Sequence, residues 1–288
     1  MSISQALGEQ REVQLPQGTI SYRERGSGEP IVFIHGLLVN GDLWRKVVPE
    51  LSKDYRCIAP DLPLGSHTTA MNESADLSVY GLAKLIDDFL AALDLQDVTL
   101  VGNDTGGGLC QILITRHPDR IGRLVLTPCD AFEHFPPPFF KWLLYPAQWS
   151  PGVRALLAPM RFKAMRNSPT AFGWLSKKGI DPEITASWLE PPQRDPGVRR
   201  DLTKVIRGVD PRYTLEAAGK LEQFDRPVLL AWTPEKDFFK WEHAERLAKT
   251  FPDARLERIE DSYTFVPEDQ PEQLARLISD FARKPVTA

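Results

Sequence analysis

The chain has 288 residues, of which 42% are hydrophobic and 26% charged, with a formal charge of −4. That length suits one large α/β domain, and the composition excludes intrinsic disorder, collagen and a disulfide scaffold. The weak acidity and the lack of any block of five Lys/Arg argue against a nucleic-acid partner. Apolar runs such as Pro227–Trp232 fall far short of the roughly 18 residues that a span needs, so no membrane partner is expected. The polar stretch Met1–Arg11 holds no apolar h-region, and no signal peptide is expected. Cys57, Cys110 and Cys129 are odd in number and lack metal-ligand spacing. They read as reduced thiols of a cytoplasmic protein with no metal and no cofactor.

In chain order, Arg11–Leu15 and Thr19–Arg25 alternate around Pro-Gln-Gly and predict an edge hairpin. The runs Ile31–Ile34 and Tyr55–Ala59 predict buried strands, and Val98–Val101, Arg123–Leu126, Pro227–Trp232 and Arg255–Ile259 predict further strands. Between them, helices are predicted over Asp42–Leu51, Ser78–Leu93 with Ser78 as N-cap, Leu109–Arg116, Trp241–Phe251 and Pro271–Arg283. Strands separated by helices need right-handed crossovers, which gives a mostly parallel sheet of about eight strands covered on both faces. Twelve of the 25 prolines fall between residues 130 and 214, with four of the seven Trp and six of the fourteen Phe. Residues 130–214 therefore read as an inserted helical cap, with 1–129 and 215–288 as the core domain.

Gly102-Asn103-Asp104-Thr105-Gly106 falls where a strand meets a helix. A tight turn there strains its middle residue, and small neighbours let strand and helix approach closely. The helix N-terminus directs free N–H groups at the carboxylate of Asp104, which keeps it ionised. A simple turn or helix cap is the alternative reading of Asp104.

With His35-Gly36, the elbow around Asp104, the insertion after Arg123–Leu126, Trp232–Asp237 and the run Asp261–Pro271, the chain resembles the α/β-hydrolases. The branch it resembles has an aspartate nucleophile: haloalkane and fluoroacetate dehalogenases and epoxide hydrolases. The resemblance implies Asp104 as nucleophile and Asp237 as the acid of a triad, although Asp237 could instead cap the next helix. It implies Asp130 as a second possible source of the acid. Relatives place the triad histidine where this chain has Thr264, and threonine cannot serve as a general base. Of the five histidines, His134 at the start of the cap is the candidate substitute; His35, His67, His117 and His243 read as structural or surface residues. By the same resemblance, Leu37 and Thr105 supply oxyanion-hole N–H groups. They lack the side-chain donors with which haloalkane dehalogenases hold halide. Tyr145, and less so Tyr213, match cap tyrosines that protonate an opening epoxide, but His35-Gly36-Leu37-Leu38 departs from the usual epoxide-hydrolase motif.

An apolar cavity lined by several of Phe135, Phe139, Phe140, Trp142, Tyr145 and Trp174 is expected beneath the cap. Three functions remain open: a slow hydrolase of a small apolar electrophile (epoxide, ester, lactone or halide), a non-hydrolytic isomerase, lyase or cyclase using Asp104 as base, and a ligand-binding protein on a disabled hydrolase fold.

Overall fold

The computed structural model describes residues 2–283 apart from 167, 169–170 and 236–237, and of Trp142 and Leu143 only the backbone. Eight strands form one sheet: β1 (Glu9–Leu15), β2 (Gly18–Arg25), β3 (Pro30–Ile34), β4 (Arg56–Pro60), β5 (Val98–Asp104), β6 (Ile121–Cys129), β7 (Val228–Trp232) and β8 (Ala254–Arg258). Their spatial order is β1-β2-β4-β3-β5-β6-β7-β8. Only the β1–β2 hairpin and the β2–β4 pair are antiparallel; every other neighbour is parallel.

Alternation along each strand feeds two cores, as a period of two requires. Val32 and Ile34 of β3 point into one core with Leu82, Phe89 and Leu113, while Ile31 and Phe33 point into the other with Trp44, Ile278 and Phe281. The helices α1 (Val48–Leu51), α2 (Val79–Ala92) and α3 (Thr105–Arg116) lie between β3 and β6 in sequence. Ser78 caps α2 by accepting a hydrogen bond from Gly81 N–H at 3.2 Å.

Two helix expectations need correction. Asp42–Leu51 is a 3₁₀ turn (Gly41–Trp44) followed by the single-turn α1, because Pro49 has no N–H and is tolerated only in a first turn. Helix α3 starts at Thr105 and not at Leu109, so the three glycines 106–108 are helical. Their lack of side chains is a packing requirement: a Cβ on Gly107 would lie 2.4 Å from that of Cys129.

Six α-helices connect β6 to β7: α4 (Pro138–Leu144), α5 (Ser150–Leu157), α6 (Lys163–Arg166), α7 (Pro182–Arg194), α8 (Pro196–Gly208) and α9 (Pro211–Ala218). Polar contacts tie this segment to the rest. Trp188 Nε1–H donates to Asn40 Oδ1 at 2.9 Å, and Met71 N–H donates to Asp201 of α8 at 2.7 Å. Asp269 accepts from Ser176 Oγ and from Lys177 and Lys178 N–H at 2.8–3.0 Å. Helices α10 (Trp241–Thr250), α11 (Val266–Asp269) and α12 (Pro271–Ala282) follow β7. Among the described residues, no helix is long and apolar enough to cross a membrane.

Candidate active site

Asp104 closes β5 and immediately precedes α3, with φ +53° and ψ −133°. That conformation costs a non-glycine residue about 1–3 kcal/mol, and it persists only where the surroundings enforce it. Here they do. A Cβ on Gly36 would come within 2.2 Å of Asp104 Oδ2, and one on Gly106 within 2.4 Å of the His35 carbonyl. The side chain makes no capping hydrogen bond to α3, so the helix-cap alternative has no bond to rest on. The carboxylate nevertheless sits at the end of a twelve-residue helix whose first N–H groups have no intrahelical acceptor.

The neighbours of the elbow are tied down. Asn103 Nδ2 shares its hydrogens among Thr127 Oγ1 (2.8 Å), the Pro128 carbonyl (3.2 Å) and the Thr264 carbonyl (2.8 Å). The last of these fixes the backbone of Thr264 beside the residue that precedes Asp104. Tyr263 N–H donates to Asp269 Oδ2 at 3.0 Å and Phe265 N–H to the Leu175 carbonyl at 2.7 Å, so the chain is anchored on both sides of Thr264. Thr264 itself is 0% exposed.

Asp130 follows β6 and is 1% exposed. Thr105 Oγ1–H donates to its Oδ2 at 3.1 Å, whereas Oδ1 is buried with no hydrogen-bond partner. Burial, reinforced by the charge of Asp104, pushes this carboxyl well above the ordinary carboxylate range. The folded protein thus keeps a proton there that the unfolded chain releases near pH 4, and stability falls as pH rises above that value. Asp130→Asn, which cannot ionise, should therefore gain stability relative to wild type as pH increases. Urea unfolding midpoints at pH 5 and pH 8 check this: the difference should grow toward pH 8, and a constant difference would contradict it.

Asp104, Thr105 and Asp130 line a cavity of about 120 Å³ together with Leu37 and Leu38. Leu38 has φ +58°, and its N–H donates to the Leu64 carbonyl at 2.9 Å, which holds the loop carrying Leu37. The remaining wall comes from the segment between β6 and β7, chiefly Pro136, Pro137, Phe140 and Leu144, then Leu156, Met160 and Leu175. It is largely aliphatic.

Most of the expected aromatic lining lies elsewhere. Phe135 is buried in the main core, while Phe139 and Trp174 pack at a tilt at the surface with ring centroids 5.0 Å apart. Tyr145 is exposed beside Trp149, and Tyr213 packs edge-on against Tyr80. The side chain of Trp142 lies outside the described residues, as does Asp237. Helix phase explains the shift: Phe140 and Leu144, four residues apart, share the face of α4 that meets the cavity. That leaves Phe139 and Tyr145 off that face.

None of the five histidines lines the cavity. His134 lies outside that wall: its backbone N–H donates to the Ala131 carbonyl at 3.0 Å, and its ring packs on His243 with centroids 4.3 Å apart. His35 Nδ1–H donates to the Gly36 carbonyl and its Nε2 accepts from Leu62 N–H, each at 2.8 Å. Burial lowers His35 to about 4, which leaves it a neutral structural strut. His67 lies 3.3 Å from Asp201, and His117 is half-buried near Asp87.

The residues around Asp130 do not signal its burial, because burial is a tertiary property. It also passed over Gly36, whose contact with Asp104 was signalled only by the His-Gly pair. Among the described residues, no group of three or more His, Cys, Asp or Glu is arranged to hold a metal ion.

This arrangement falls within a known class. Residues 29–271 match the model of the alpha/beta hydrolase fold family, and the chain belongs to that family. A haloalkane dehalogenase of Mesorhizobium japonicum is 35% identical over 132 residues, 46% of this chain and 40% of the dehalogenase. The aligned stretch thus spans well under half of that relative. An uncharacterized hydrolase of Bacillus subtilis is 26% identical over 88% of this chain and 90% of its own length. In fold, the haloalkane dehalogenase DatA from Agrobacterium tumefaciens superposes with a TM-score of 0.79 at 23% identity, covering 98% of this chain and 99% of that one.

Proposed function

We propose that this protein is a hydrolase-fold enzyme whose nucleophile is Asp104, acting on a small apolar electrophile. The observation that carries the reading is a carboxylate held on a strained, non-capping turn at a helix N-terminus and facing an aliphatic cavity. In the first step an Asp104 oxygen attacks an electrophilic alkyl carbon, forming an ester as that carbon's bond to the leaving oxygen or halide breaks. The N–H groups of Leu37 and Thr105, the latter the first residue of α3, are the oxyanion donors. In the second step water must attack that ester, and this normally needs a general base. Threonine at 264 provides none, and no histidine faces the cavity, so the ester is long-lived. Asp237 is the second carboxylate of this proposal.

An alternative, a non-hydrolytic enzyme, draws support from the buried, proton-retaining Asp130 next to Asp104. Such a pair could move a proton within one substrate.

The two readings differ in stoichiometry. Offered a small epoxide and a bromoalkane, the hydrolase should consume about one equivalent of its preferred compound per site and then stall. Continuous turnover to an isomer of the substrate, without a stalled phase, would favour the alternative.

A further inference from the structure

Residues 134–180 contain seven Lys or Arg and no Asp or Glu, so the overall −4 is the balance of +7 in this segment and −11 elsewhere. The same stretch carries most of the large apolar side chains left exposed: Tyr145 (63%), Phe162 (56%), Trp149 (51%), Phe139, Trp174 and Met165. Soluble surfaces disperse such groups; here they gather in one segment with its cations.

The segment has two sides. Inward, Phe140, Leu144, Leu156, Met160 and Leu175 line the cavity. Outward, the exposed rings alternate with Lys141, Arg154, Arg161, Lys163 and Lys178, which make no ion pair among the described residues. Two other cations are engaged. Lys177 pairs with Glu235 and Asp261, and Arg166 donates to the Met160 and Pro182 carbonyls. Arg161 lies over the Phe162 ring at 4.6 Å, so charge and apolar surface are presented together.

From this we infer that the exposed rings and cations described between Phe139 and Lys178 dock on an anionic lipid surface. Trp, Tyr and Phe rings enter the headgroup boundary while Lys and Arg meet the lipid charges, which is how interfacial segments bind without spanning. Surface docking needs no spanning length, and it departs from the expectation of no membrane partner. The charge rules out a cationic partner, and the rings separate this face from a purely electrostatic one. An apolar compound dissolved in the bilayer would meet, on the far side of this layer, the aliphatic cavity. The inference is independent of the role of Asp104.

Cosedimentation of the full chain with phosphatidylcholine vesicles, with and without phosphatidylglycerol, tests it, using circular dichroism to confirm folding of each variant. Binding should require phosphatidylglycerol and fall with added salt. The pair Arg161→Glu and Lys163→Glu should weaken it at least about tenfold, and the pair Trp149→Ala and Phe162→Ala by a similar factor. Folded wild type that ignores anionic vesicles would overturn the inference. So would binding sensitive to the charge reversals and indifferent to loss of the rings, the mark of a soluble acidic partner. Concentration-dependent dimers that Trp149→Ala and Phe162→Ala dissolve, without vesicle binding, would assign the face to a second copy of the chain.

Discussion

Thr264→His should turn a stalled enzyme into one that turns over, with ester hydrolysis accelerated by about 10²–10⁴-fold, the contribution of a positioned general base. The backbone at 264 is already held next to the elbow by Asn103, and its flanking residues are anchored by Asp269 and Leu175. A new imidazole needs a carboxylate to orient it, as in any triad. Asp130 lines the cavity and would fill that role only after losing the proton that its burial retains. Because Thr264 is fully buried, the larger ring overpacks its surroundings, at a cost of about 1–3 kcal/mol. A lower melting temperature together with faster turnover is therefore the expected pair of results, read by thermal unfolding and steady-state product release. A folded Thr264→His variant that stalls as wild type does would show that a base at 264 is not what the second step lacks.

Asp104→Asn should abolish the initial burst, slowing bond formation by at least about a thousandfold, since removal of a nucleophile leaves only binding and oxyanion stabilisation. The amide is nearly isosteric and asparagine tolerates positive φ, so the variant should fold with little change in stability. Rapid-quench measurement of substrate consumed in the first turnover reads the effect. Retention of the burst in a folded Asp104→Asn protein would remove Asp104 from the chemistry.

Much of this architecture can be read from residue order, and the exceptions have physical causes. Strands β3, β5, β6 and β7 are continuous apolar runs because both faces of a parallel sheet are covered, so their positions follow directly from the residues. The elbow is legible for a similar reason: Gly102, Asp104 and Gly106 at that spacing satisfy a steric demand that few other local structures make. Helix α3 was misjudged at its start because Gly106–Gly108 resemble a loop. Only the approach of Cys129 and His35 explains why glycine is needed there. The cavity wall was the least legible part. Aromatic content identified residues 130–214 as distinctive, but content carries no helix phase, and the rings of Phe139, Tyr145 and Trp174 lie outside while Phe140 and several leucines lie within. The state of Asp130 was equally hidden, since it depends on burial and on a carboxylate 26 positions earlier in the chain.

The most direct measurement is peptide mass mapping of wild-type protein after a single exposure to the electrophile it consumes in the burst. A covalent ester on the peptide containing Asp104, absent from Asp104→Asn and shed more quickly by Thr264→His, is the predicted result. An unmodified Asp104 peptide, with product formed and that product lost in Asp104→Asn, would contradict nucleophilic attack and leave Asp104 as a base.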